Sequence, residues 1–164
     1  MSKVLVTGGA GYIGAHVAAE LLSEGYSVRI YDDFSNGLHK RVDGKFRDII
    51  DGDILDREKL LKAMHGVDAV IHMAGAGIGD KRWTDEYKKE ILDSRVKGTK
   101  LLAQAMSETH DGPKVLLSGS AIGIYGESLT TEFNELFSTP LYPSVSQILS
   151  KRLKTNLQSA KSKF

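Results

Sequence analysis

Apolar and polar positions follow two periods along this chain. Short β-branched and apolar runs at 3–7, 27–32, 46–50, 67–72 and 114–118 read as strands, while stretches with an apolar residue every three or four positions at 12–25, 56–65, 84–108 and 143–160 read as helices. Strands separated by helices predict a parallel sheet, because a parallel crossover needs a helix-length connection that then covers the sheet face. The expected fold class is therefore α/β: a doubly wound parallel sheet of about five strands in three α/β/α layers, forming one domain over 1–164. Glycine-rich and polar segments follow the proposed strands, at the carboxyl edge where open α/β sheets bind ligands.

The first strand-to-helix junction is the most informative. Val4-Leu5-Val6-Thr7 runs into Gly8-Gly9-Ala10-Gly11-Tyr12-Ile13-Gly14, with glycines spaced GxxGxxG. Gly8 permits the sharp turn after the strand. Gly11, without a Cβ, lets the backbone come close to a pyrophosphate, and Gly14 allows the helix to pack tightly on the sheet. The free N–H groups and positive dipole end of that helix, at Tyr12 and Ile13, face the phosphates. This is the phosphate-binding turn of a Rossmann-type fold, although a glycine triplet alone also fits an ordinary strand-turn-helix.

The second strand ends on Asp32-Asp33, where a carboxylate about 20 residues beyond the glycines is expected to hold an adenosine ribose diol. A carboxylate at Asp32 also repels a 2′-phosphate, so NAD is favoured over NADP. Arg29 in the strand and Lys40 and Arg41 in the following loop soften that preference. After the third strand, Asp53 reads either as acceptor for an adenine amino group, with Ile54 packed on the ring, or as a helix N-cap in competition with Asp56. After the fourth, Ala74 and Gly75 are small enough for backbone to lie against a ribose, while His72 reads as a core histidine rather than an acid or base.

Composition narrows the class without changing it. The 164 residues suit one domain, and 41% hydrophobic with 26% charged residues is ordinary for a globular protein. A formal net charge of +1 gives no global field for nucleic acid or an anionic membrane. There are no cysteines, which excludes disulfides, thiolate metal sites and thiol catalysis, and the five histidines form no HExxH-type pair. No leader or membrane span is read from the sequence, so the expected setting is cytoplasmic.

The residues TGGAGYIG, YDDFSNG, GDI and VIHMAG resemble the extended short-chain dehydrogenase/reductase family, most of all its UDP-galactose 4-epimerase type over residues 1–75. From Ala76 the likeness shifts: IGDKRWT, DSRV and SGSAIGIYG are similar to atypical epimerase-family members. The resemblance implies a dinucleotide cofactor and a nucleotide-sugar substrate, oxidised by hydride transfer to NAD and reduced again from its other face. In that family a Tyr removes the hydroxyl proton, a Lys four residues later lowers the Tyr pKa, and a Ser hydrogen-bonds the reacting oxygen. The resemblance places Ser120 at the Ser position and Tyr142 at the Tyr position. It also shows departures: Ser146 stands four residues after Tyr142 where the family has Lys, and Arg95 stands where epimerases usually have Asn.

Two readings therefore stand together. One is an enzyme of epimerase or reductase type; the other is a dinucleotide-binding module, fragment or engineered scaffold without turnover of its own. Family members continue into a lobe that holds the sugar nucleotide, and with a chain ending at Phe164 that substrate lobe is expected to be absent. The fifth strand is then left as a sheet edge, a surface for self-association into a homo-oligomer. Lys151, Arg152, Lys154, Lys161 and Lys163 accumulate near the end and read as a solvated helix face, and Trp83 with Lys81 and Arg82 as a loop packed by its one large aromatic.

Overall fold

The computed structural model describes residues 2–119 and Thr130. Nine elements alternate along them: β1 (Lys3–Thr7), α1 (Tyr12–Ser23), β2 (Ser27–Asp32), α2 (His39–Val42), β3 (Asp48–Asp51), α3 (Arg57–Met64), β4 (Ala69–His72), α4 (Asp85–Glu108) and β5 (Val115–Ser118). The five strands form one parallel sheet in the order β3-β2-β1-β4-β5. From β1 the chain winds outward through β2 to β3, then returns to the other side of β1 as β4. That reversal opens a crevice above the carboxyl ends of β1 and β4.

The strand periodicity sorts side chains between two cores, one on each face of the sheet. Leu5, Tyr31 and Val70 point to one face and meet Leu60, Met64 and Leu102 from α3 and α4. Val4, Val6, Val28 and Ile30 point to the other and meet Ala18 of α1, with Val42 and Phe46 from the β2–β3 connection. A central strand buried on both faces has no polar side to alternate with, which is why β1 reads as a continuous apolar run.

Two of the helices, α3 and α4, begin where a side chain satisfies a first-turn N–H group. Asp56 caps α3 by accepting from the Lys59 amide at 3.1 Å, and Thr84 caps α4 by accepting from the Tyr87 amide at 3.2 Å. Asp85 and Glu86 add negative charge to the first turn of α4. The expected elements are all present among the described residues, with ends shifted by one or two residues. Phe46, expected in the third strand, lies before it and closes the core instead. The short α2 carries too few periodic positions to be read from sequence. Ser120, Tyr142, the expected helix at 143–160 and the basic residues from Lys151 onward lie outside the described residues.

Candidate functional site

The crevice at the switch point has a volume of about 270 Å³. Gly8 and Gly11 line it from the β1–α1 turn, and Tyr31, Asp32, Asp33, Ser35, Asn36 and Gly37 from the end of β2 and beyond. Gly52, Asp53, Ile54 and Leu55 contribute from the end of β3, and Met73, Ala74, Gly75 and Ala76 from the end of β4, facing Glu90 and Ser94 of α4.

The glycine turn is built as its spacing implies. Gly8 has φ of +68°, and a Cβ there would lie 2.7 Å from the Ala74 amide nitrogen, so any side chain would drive β1 and β4 apart. A Cβ on Gly14 would collide with the Gly8 carbonyl oxygen, which sets how closely α1 approaches the turn. On Gly11 a Cβ would approach only that same carbonyl, at 3.1 Å, so its other side is open toward the crevice. Gly11 is the N-cap of α1, without a side-chain cap, and the first N–H groups of the helix have no intrahelical acceptor. Tyr12 and Ile13 are 70% and 60% exposed and are not among the residues that line the crevice.

Asp32 is buried with its carboxylate at the crevice wall. One oxygen accepts from the Ala10 amide at 2.9 Å and the other from the Phe34 amide at 2.9 Å. It thereby ties the glycine turn to the loop after β2. That loop is further held by Asp33, which accepts from the Ser35 amide at 2.9 Å, and by Phe34, at φ of +56° and stacked on His39. Arg29 plays no part in the crevice: its Nε binds Asp48 at 3.0 Å and its Nη1 donates to the Ala63 and His65 carbonyls.

At the end of β3 the two readings of Asp53 separate. The cap of α3 belongs to Asp56, while Asp53 accepts from the Leu55 amide at 2.8 Å in a local turn on the crevice wall. Beneath it the Tyr31 hydroxyl donates to the Asp53 carbonyl at 2.8 Å. Burial, then the carboxylates of Asp56, Asp53, Asp33 and Asp51, push the Tyr31 pKa well above that of a free phenol. This end of the crevice is a region of negative potential.

The β4 end is held by α4 rather than by its own backbone. Ser94 Oγ accepts from the Ala76 amide at 3.0 Å and Arg95 donates to the Ala76 carbonyl at 2.9 Å. The Tyr87 hydroxyl donates to the Gly77 carbonyl at 2.5 Å, and Trp83 Nε1 donates to the Ile78 carbonyl at 2.7 Å. Trp83 thus pins its loop by a hydrogen bond while remaining 58% exposed, rather than packing it by burial as its size suggests. His72 is buried and shares a 2.7 Å hydrogen bond with the Thr7 hydroxyl; burial, and secondarily the Arg95 charge, lower its pKa to about 4. It is a neutral core histidine. Among the described residues no cluster of three His, Asp or Glu side chains is arranged to hold a metal, and no helix is long and apolar enough to cross a membrane.

Of the residues singled out from sequence, Gly8, Gly11, Asp32, Asp53, Ile54, Ala74 and Gly75 meet at this one crevice, and Gly14 shapes it from behind. Glu90 and Ser94 complete its wall without any signal in the sequence, because only the packing of α4 brings them there.

Comparison with known proteins agrees with this geometry. Residues 4–160 match the model of the NAD dependent epimerase/dehydratase family. A UDP-glucose 4-epimerase of Klebsiella pneumoniae is 35% identical over 134 residues, covering 76% of this chain and 93% of that one. Among solved structures, a UDP-glucose 4-epimerase from Stenotrophomonas maltophila with bound NAD and formylated UDP-arabinopyranose superposes with a TM-score of 0.79 at 29% identity, over 98% of this chain and 50% of that one. The human epimerase family protein SDR39U1 with NADPH gives 0.71 at 26% identity, over 94% and 48%. The chain thus spans about half the length of these two solved relatives.

Proposed function

This chain belongs to the NAD dependent epimerase/dehydratase family, and on that premise we propose that its crevice binds a dinucleotide, with NAD preferred over NADP. The observation that carries the proposal is the meeting of the open Gly11 face, the α1 N-terminus and the Asp32 carboxylate in a single crevice. The diphosphate would lie on the first N–H groups of α1, at Gly11, Tyr12 and Ile13. The adenosine ribose would lie against Asp32, the adenine between Asp53 and Ile54, and the second ribose along Ala74 and Gly75. The preference for NAD follows from charge. A 2′-phosphate adds about two negative charges beside Asp32 and the carboxylates that surround Tyr31.

The substrate we propose for the family chemistry is a nucleotide sugar, with the Ser120 and Tyr142 hydroxyls acting on the reacting oxygen. Ser146, in place of Lys four residues after Tyr142, removes the cation that would lower the phenol pKa. That substitution favours a second reading, in which this chain binds the dinucleotide without turning over a sugar.

Titration with NADH and NADPH, followed by nicotinamide fluorescence, tests the first proposal. Saturable binding is expected, with NADH tighter by about tenfold. Gly11→Val should abolish both signals while leaving a cooperative unfolding transition at a slightly lowered midpoint, because a Cβ at Gly11 meets only the Gly8 carbonyl, at 3.1 Å, but occupies the proposed phosphate position. Unchanged affinity in that variant would remove the phosphate-turn assignment. Incubation with NAD and UDP-glucose then separates the two readings, since formation of UDP-galactose requires the catalytic one.

A further inference from the structure

We infer that Arg41 binds the diphosphate of the dinucleotide, a contact that rests on the dinucleotide reading above. Arg41 comes from α2, after β2, and folds back over the glycine turn. Its Nη1 donates to the Ala10 carbonyl at 3.2 Å, and its guanidinium carbon lies 5.9 Å above the Tyr12 ring. Ala10 and Tyr12 flank Gly11, so the cation lies beside the turn whose Gly11 lines the crevice, although Arg41 is not itself one of the lining residues.

Three features mark this arginine as a ligand group rather than only a brace. No carboxylate lies within 4.0 Å of its guanidinium among the described residues, whereas Arg29 is satisfied by Asp48 and two carbonyls. Of its five N–H donors only the one on Ala10 has an acceptor among the described residues. The first turn of α1 itself contains no acid, and the carboxylate at the turn, Asp32, is bound to the Ala10 and Phe34 amides. A helix N-terminus and a guanidinium held side by side at a partly buried position favour an anion between them. A diphosphate at the α1 N-terminus is such an anion, and the planar guanidinium suits two phosphate oxygens at once. The Ala10 anchor and the Tyr12 ring hold the fork in place before the ligand arrives, which limits the entropy lost on binding.

A 2′-phosphate is the other phosphate an arginine at this turn could meet, and the two are separable. Arg41→Gln and the control Lys40→Gln, which removes an exposed neighbouring charge, are titrated with NADH and NADPH, and adenosine is measured by competition against NADH. The expected result for Arg41→Gln is a loss of about tenfold for NADH and NADPH alike, an unchanged adenosine affinity, and a shallower dependence of NADH affinity on salt. Lys40→Gln should change each by less than about twofold. A loss confined to NADPH would assign Arg41 to the 2′-phosphate and overturn the inference. Parallel loss of adenosine would show that Arg41 only holds the loop, and equal loss in Lys40→Gln would reduce it to a general field effect; either result overturns it too. Absence of NADH and NADPH binding in the unaltered protein would instead sink the dinucleotide reading, and the Arg41 contact with it.

Discussion

The two halves of the crevice are built by different means. On the β1–β2 side, short-range backbone geometry makes the surface: a glycine turn, an uncapped helix start, and an aspartate at a strand end that accepts two nearby amides. On the β4 side, the chain leaves the strand through Ala74-Gly75-Ala76-Gly77, which has no side chains able to fix it. Tyr87, Ser94 and Arg95 reach from α4 to hold its amides and carbonyls. The first half is pre-formed by its own sequence, and the second depends on the docking of a helix. On the β1–β2 side the crevice wall is mostly backbone, tied together by the Asp32 carboxylate. On the β4 side, side chains from a separate element hold the wall.

The largest test of this contrast removes the contact shared by both halves. Gly8→Val combines a left-handed φ with collision against the Ala74 backbone, and should cost about 3 kcal/mol. Urea unfolding should show a lower midpoint at an unchanged slope; a midpoint like that of the unaltered protein would mean that the β1 and β4 ends can separate freely.

Between pH 6.5 and 4, acid should act on the β4 half through His72. His72 ends β4 with a folded pKa of about 4, lowered from 6.5 by burial and then by Arg95. Between these values the unfolded chain binds the proton and the folded one does not. The stability it contributes is therefore fully present above pH 6.5 and is lost as the pH falls toward 4, by up to about 1.4 kcal/mol per unit. The full loss is about 3 kcal/mol, of similar size to the Gly8 effect at most. His72→Asn should flatten this part of the profile when unfolding is followed across that range. Parallel profiles for the two proteins would show that His72 titrates as it does in the unfolded chain.

Ser94→Ala sharpens the contrast with the smallest change. It leaves the half-buried Ala76 amide without its acceptor and should cost about 1 kcal/mol. Hydrogen exchange should quicken at Ala76, with no change at the Ala10 amide held by Asp32. Equal acceleration at both amides would mean that the halves open as one unit, and the distinction between them would fall.

Legibility in the sequence followed the same division. Gly8, Gly11, Gly14 and Asp32 could be read because the turn needs those residue types at those spacings whatever surrounds them. Asp53 could not be separated from Asp56 as the cap of α3, since both precede the helix and both can bond nearby amides; the structure gives the cap to Asp56. Arg29 and Arg41 looked alike as cations near a nucleotide. Arg29 is bound to Asp48, on the adjacent strand, a pairing set by the β2–β3 register, whereas Arg41 turns back over Gly11. Trp83 gave a hydrophobic signal but took its role from one N–H bond. The short α2 carried too little periodicity to be seen.

By itself the sequence determined the alternation of strands and helices, the two-faced burial of β1, the phosphate-type turn and the absence of any cysteine chemistry. Each of these depends on residue type and spacing over a few positions, where backbone sterics and hydrophobic period act directly. Tertiary structure alone decided that β1 and β4 are neighbours, that Glu90 and Ser94 complete the wall, that His72 is buried beside Thr7 and held neutral, and that Arg41 lies across the α1 N-terminus. Those outcomes join residues tens of positions apart, and their energies come from burial and charge that exist only once the sheet has brought the parts together.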